Sequence, residues 1–306
     1  MSRWPHRRKS QDKTPFQVIL DQFSIQDIER ATKLRDRFLR FHWDFYSSLA
    51  YQRAQIADDL RRVLSEAAER SYQFPRWQRV IGYKYALQPL STAGSLADPG
   101  GRFNIGEIDT TNFHPFPALY VAADRHTALQ EVLCQSVSSG QESRAWDSAL
   151  LRPNSTADIS LSGSLTSVIN LKHPSSLGGF VNLIKCFSMP SHLTREAKAM
   201  KLDPPEIVRD IPKLLQVLLA PNWRVWPMQF DVPAVSQLFG QLVAEAGIEA
   251  ILYRSKFSGN DCLAIFPQNF GNSDAYVQLD DTSPPGVQVS RLDGATWRAL
   301  TQPPQS

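Results

Sequence analysis

The sequence predicts an α+β protein in which a helical N-terminal extension precedes a body of short strands and helices. Three observations lead there. No glycine occurs before Gly82 and no proline lies between Pro15 and Pro75, so the two residues that interrupt helices are missing from a long stretch. Within it Ile28, Ala31, Leu34, Phe38, Phe41, Phe45, Leu49, Ile56, Leu60, Val63 and Ala67 recur mostly at steps of three and four, the period of an amphipathic helix. From Pro75 onward short apolar runs are broken by Gly, Pro, Ser and Asn, the texture of a mixed or β-rich body.

Ser24, with Asp27 three residues later, marks the helix start in the manner of a capping box. One long helix or a two-helix hairpin then runs to about Ser71, and Trp43, Tyr46 and Tyr51 add aromatic surface for packing against the body or a second chain. In the body, strands are expected at Arg79–Tyr85, Ala118–Ala122, Ser167–Leu171, Arg224–Met228, Ala250–Tyr253 and Cys262–Phe266, and helices at Asp124–Val137, Glu206–Leu219 and Pro233–Ala246. The resulting division is a basic helical extension at 1–74, a catalytic body at 75–272 carrying a Ser/Pro-rich insertion at about 138–223, and a tail at 273–306 whose Val287–Leu300 stretch offers an edge strand.

Composition excludes several classes. At 306 residues and 42% hydrophobic, the chain builds a core without disulfide or metal staples. Cys134, Cys186 and Cys262 are odd in number and widely spaced, and the six histidines fall at no metal-binding interval, so no metal site is expected. No apolar run approaches the ~20 residues of a membrane span, and the N-terminal residues lack a signal-peptide pattern, so a cytoplasmic protein without membrane contact is expected. Residues 1–70 hold fourteen Lys or Arg against ten Asp or Glu, whereas the remainder holds 19 against 20. Arg35, Arg37, Arg40, Arg53, Arg61 and Arg62 are interleaved with Asp36, Asp44, Asp58 and Asp59, which reads as a solvated helix face rather than direct nucleic-acid binding.

Three local patterns bear chemistry. Pro99-Gly100-Gly101-Arg102-Phe103-Asn104 is a turn whose glycines let backbone approach a ligand while Arg102 is presented; the alternative is a plain hairpin turn with a solvent-facing arginine. Ala118–Ala122 is a strand followed by Asp124 as helix cap and by Glu131 at the margin of a stripe made by Ala128, Leu129, Val132 and Leu133. Glu131 is either a surface glutamate or a group aimed into a cleft. Ser255 lies just past a strand end, ahead of Asn260 and a second apolar strand.

In this order and context the GGRxN turn, the LYxA strand running into ALxEV, and the strand ending in YRS resemble the RES domain family, over about Arg79 to Phe270 and most closely in 100–133 and 247–267. Arg102, Tyr120, Glu131 and Ser255 match the family's arginine, tyrosine, glutamate and serine. The resemblance implies an ADP-ribosyltransferase-like split β-sandwich with flanking helices that takes NAD as substrate rather than cofactor. It implies a bacterial toxin of a toxin–antitoxin pair, cleaving the nicotinamide–ribose bond by hydrolysis or phosphorolysis, or else transferring ADP-ribose to a protein.

The residue chemistry suits that reaction. An oxocarbenium-like transition state calls for a carboxylate, Glu131; a pyrophosphate calls for a planar fork, Arg102 with Arg79 second; Tyr120 offers a face to the nicotinamide or adenine ring; Ser255 and Asn260 offer hydrogen bonds to ribose or phosphate. No GxGxxG follows a strand, which disfavours a Rossmann dehydrogenase. The helical extension and the long Glu131–Ser255 separation depart from the compact family pattern, leaving an antitoxin or self-association as partner of the N-terminal helices. A catalytically silent binding module is the rival from another class.

Overall fold

The computed structural model describes residues 25–137, 156–202, 207–283 and 285–302, without the side chains of 25–32 and 133–137. Ser24, Glu206 and the Cys134 side chain therefore lie outside the described residues. Helices α1 (Ile25–Gln55) and α2 (Ala57–Ala67) follow one another across a break at Ile56. They pack on the body: Phe41 and Phe45 meet Leu193 and Ala197, and His42 stacks on Phe230, with ring centroids 4.1 Å apart. Leu60, Leu64 and Ala67 of α2 enter the main core. The arginines of this segment are largely paired on the surface, Arg35 with Asp36, Arg37 with Glu196, Arg61 with Asp58 and Arg62 with Asp59 and Glu66. That arrangement agrees with a solvated face.

The helical pattern stops earlier than the spacing predicts. Strand β1 (Glu69–Gly82) already begins two residues past α2 and runs through Pro75. Its register against β5 (Thr156–Asn170) shifts between Phe74 and Trp77, and Arg76 takes φ +52° in the resulting bulge, where a proline N without hydrogen costs no ladder bond. Pairing along almost the whole of β5 outweighs the local helical period in deciding this segment. The 3-10 turn Tyr83–Tyr85 takes the end of the strand expected there.

The remaining elements are β2 (Gly100–Gly101), β3 (Asn104–Ile105), β4 (Leu119–Ala122), α3 (Arg125–Val137), α4 (Gly178–Ile184), α5 (Ser191–Ala199), α6 (Ile211–Leu218), α7 (Val225–Phe230), α8 (Val235–Glu245), β6 (Ala250–Arg254), β7 (Asp261–Ile265), β8 (Tyr276–Leu279) and β9 (Arg291–Leu292). The expected strand at Arg224–Met228 is instead α7. Pro227 would break a sheet ladder but is tolerated in a helix's first turn, and Trp226 and Phe230, four residues apart, close on His42 together.

The main sheet runs β1-β4-β7-β6-β5-β8-β9, and β1 also pairs with β5, so hydrogen bonding closes β1, β4, β7, β6 and β5 into a small ring. The resemblance implied a split sandwich; the 15-residue β5 is long enough to pair with β1, β6 and β8 at once and so joins what would be separate sheets. β5 lies within the stretch read as an insertion, yet it sits centrally in the sheet. The alternation of β4, β6 and β7 sorts the core: Leu119, Val121, Ala250, Leu252, Leu263 and Ile265 pack with Phe74, Leu161 and Phe270, while Ala122, Ile251, Tyr253, Cys262 and Ala264 face helices α2, α4, α6 and α8. The chain is thus α+β, with a sheet core and flanking helices. The tail adds β8 and the short edge strand β9, and Leu300 accepts hydrogen bonds from Ser91 and Thr92.

Candidate active site

The hairpin β2–β3 is held by its own ladder, by main-chain bonds at its flanks and by several buried side chains. Gly100 has φ +90°, and a Cβ at Gly101 would collide with the Tyr120 ring, so both positions demand glycine. Buried Asn104 accepts at Oδ1 from the Gly101 amide and the Tyr120 hydroxyl, each at 2.9 Å, and donates to the carbonyls of Ser95 (2.7 Å) and Phe116 (3.0 Å). Gln237 of α8, with no solvent exposure, donates through Nε2 to the carbonyls of Pro99 (2.7 Å), Gly101 (3.1 Å) and Asn104 (3.0 Å) while its Oε1 accepts from the Ala234 amide. Gly240, one turn on, lies so close to the Phe103 carbonyl that any Cβ would overlap it.

Beside the hairpin lies a cavity of about 270 Å³, lined by Arg79, Tyr85, Gly100, Gly101, Tyr120, Glu131, Tyr253 and Cys262, among others. Among the described residues Glu131 is the one carboxylate in that lining. It reaches the cavity because α3 starts at Asp124, whose Oδ1 accepts from the Thr127 amide (2.8 Å), directly after β4. Ser255, just past β6, donates from Oγ to Glu131 Oε1 at 2.6 Å. The amides of Phe257 (3.2 Å) and Ser258 (3.4 Å) point at the same Oγ, which directs its proton to the carboxylate. Glu131 and Ser255, 124 positions apart in sequence, thus meet.

The two arginines behave differently from their presentation in sequence. Arg102 is 4% exposed and turns away from solvent, its Nη1 donating to the Ala220 carbonyl (2.8 Å) beside the Trp223 ring. It stands behind the cavity wall. Arg79 is in the wall: Nη2 donates to the Ser91 carbonyl at 2.7 Å, Nη1 is enclosed without a partner among the described residues, and burial lowers its pKa to about 10, which leaves it charged at neutral pH. Among the described residues neither arginine is in a salt bridge. Tyr120 spends its hydroxyl on the hairpin, accepting from the Phe103 amide (2.9 Å), and burial raises its pKa. Asn260 donates to Asp124 Oδ2 (2.9 Å), bracing the cap of α3 outside the cavity lining.

Sequence reasoning missed Tyr253, Arg224 and Gln237. Tyr253 is buried edge-on to Phe103 (5.0 Å), and burial raises its pKa as it does that of Cys262 across the β6–β7 pair. Arg224 lies over Trp223 at 4.8 Å, its pKa lowered by burial and by the charge of Arg102. The only sequence signal for Gln237 was its place on the apolar side of a helix. Among the described residues no cluster of His, Cys, Asp or Glu fits a metal ion, and no helix is long and apolar enough to cross a membrane.

Fold and site together define a mixed helix-and-sheet protein whose cavity holds one guanidinium, Arg79, and one hydrogen-bonded carboxylate, Glu131. A scan against family models and a search of curated proteins both return no match. Among solved structures the chain is similar to one in the crystal structure of the M. tuberculosis MbcT–MbcA toxin–antitoxin complex, at 15% identity over 79% of this chain and 97% of that one, with a TM-score of 0.37.

Proposed function

We propose that this chain is a NAD-consuming enzyme that cleaves the nicotinamide–ribose bond, acting as a toxin or defence effector, with its ring-closed sheet a variant of the ADP-ribosyltransferase-like fold. The observation that carries this is the Glu131–Ser255 hydrogen bond at a cavity where Arg79, and Arg102 behind it, carry charge satisfied by carbonyls rather than carboxylates. Uncompensated guanidinium charge favours an anionic ligand, and a dinucleotide diphosphate is one. The likeness of 100–133 and 247–267 to RES domains supplies the toxin reading.

In the reaction the C1′–N bond breaks with its electron pair passing to the pyridinium nitrogen, which leaves as neutral nicotinamide. Positive charge develops on the ribose, where the Glu131 carboxylate stabilises it, oriented by Ser255. The oxygen of water or phosphate then bonds to C1′ and loses its proton. Tyr120 and Tyr253 shape the pocket for a ring, and Arg79 holds the diphosphate end. The test is purified protein with NAD, following nicotinamide release. Wild type releases nicotinamide, and Glu131→Gln, melting at the same temperature, does not. NAD left intact by wild type overturns the reading in favour of a silent binding module, and label passing from NAD to a protein would identify transfer as the activity.

A further inference from the structure

A second cavity, of about 380 Å³, lies among α1, α4, α6, α7 and α8, and no residue lines both it and the candidate active site. Its volume falls in the range of small-molecule sites, ~300–1,000 Å³. The wall is apolar nearly throughout, with Leu49, Phe180, Leu218, Trp226 and Leu242 representative of the five sides. The chamber opens to solvent, and an apolar body seated in it withdraws its own surface and that of the lining from water, which is favourable. Among the described residues the charged groups on the wall are both cations, Arg53 and Lys213, and no carboxylate lines it. Arg53 is tucked over the Tyr46 ring, 5.5 Å from its centroid, where partial withdrawal from water strengthens its attraction for an anion. Glu245, whose charge also reaches Arg53, is engaged at the surface by Arg61 (3.7 Å) and stands outside the lining.

We propose that this cavity is a binding site for an amphipathic carboxylate of the fatty-acid class, with its chain among the helices and its headgroup at Arg53. An apolar chamber alone would take any hydrocarbon; the two cations on the wall, Arg53 and Lys213, select the acid. Nothing in the proposal depends on the chemistry at Glu131.

The experiment titrates decanoate, and decan-1-ol as the uncharged control, into the full chain by calorimetry, with the fluorescence of Trp223 and Trp226 on the wall as a second readout. Decanoate is expected to bind one to one and to raise the melting temperature. Arg53→Met should weaken it about tenfold or more, a charge-assisted contact being lost, and Leu49→Trp, which fills the chamber from α1, should abolish it while the protein stays folded. Absence of saturable decanoate binding to folded wild type overturns the proposal. So does decan-1-ol binding as tightly as decanoate, affinity unmoved by Arg53→Met, or binding that survives in folded Leu49→Trp.

Discussion

Replacing Gln237 by leucine tests the account of how the site hairpin is held. The substitution keeps volume and helix propensity but removes one amide that satisfies four main-chain groups: the carbonyls of Pro99, Gly101 and Asn104 and the amide of Ala234. The Pro99 carbonyl keeps the Gly106 amide as a donor, so three groups lose this partner; at about 1 kcal/mol for each, Gln237→Leu is expected to cost about 3 kcal/mol. For a chain of this size that is a fall in melting temperature of about 6 °C, taking about 2 °C per kcal/mol. Urea unfolding by far-UV circular dichroism measures the loss directly. Gln237→Glu sharpens it, because a carboxylate at the same place faces three carbonyl oxygens and should cost at least as much. A loss under about 1 kcal/mol in both variants would refute the idea that α8 clamps the hairpin through this residue.

Three further outcomes are expected. Ser255→Ala removes the 2.6 Å bond that orients Glu131 and should lower NAD turnover about ten- to hundredfold, or about 1.4–2.7 kcal/mol, with KM little changed in steady-state assays; undiminished turnover would count against Ser255 as a positioning residue. Arg79→Gln removes a buried cation whose Nη1 has no partner, so it should raise KM for NAD while leaving the melting temperature unchanged or higher. His42 sits in an aromatic box with both ring nitrogens unpartnered, and burial lowers its pKa below 6.5, so the unfolded chain binds a proton that the folded one refuses. Stability present above pH 6.5 is then lost as pH falls toward the folded pKa, by at most about 1.4 kcal/mol per unit; denaturation at pH 7.5 and 5.5 should show this in wild type and a smaller slope in His42→Phe.

Much of the architecture was legible because its causes are local. The three- and four-residue spacing marked α1 and α2, Asp124 marked the start of α3, and the runs around Ala118, Ala250 and Cys262 marked three of the ring strands. Only the resemblance puts Glu131 and Ser255 in one site, and nothing local signals the hydrogen bond between two residues so far apart. What misled was competition between a local pattern and a distant partner. Residues 69–74 continue a helical rhythm, but pairing with β5 draws them into β1; Ser/Pro-rich flanks made β5 look peripheral, although it is the strand that closes the ring.

The sequence by itself therefore determined the α+β class, the helical extension, the glycine turn at Gly100, and the presence of one carboxylate beside a strand–helix junction. These depend on backbone preferences and periodicity within a few residues. Tertiary structure alone decided which arginine meets the cavity and which stands behind it. Arg102, presented by the turn, is drawn to the Ala220 carbonyl 118 residues away, while Arg79, on a strand whose neighbours are set by long-range pairing, ends in the wall. Side-chain destination depends on which partners the fold brings within hydrogen-bonding distance, and no local rule carries that information.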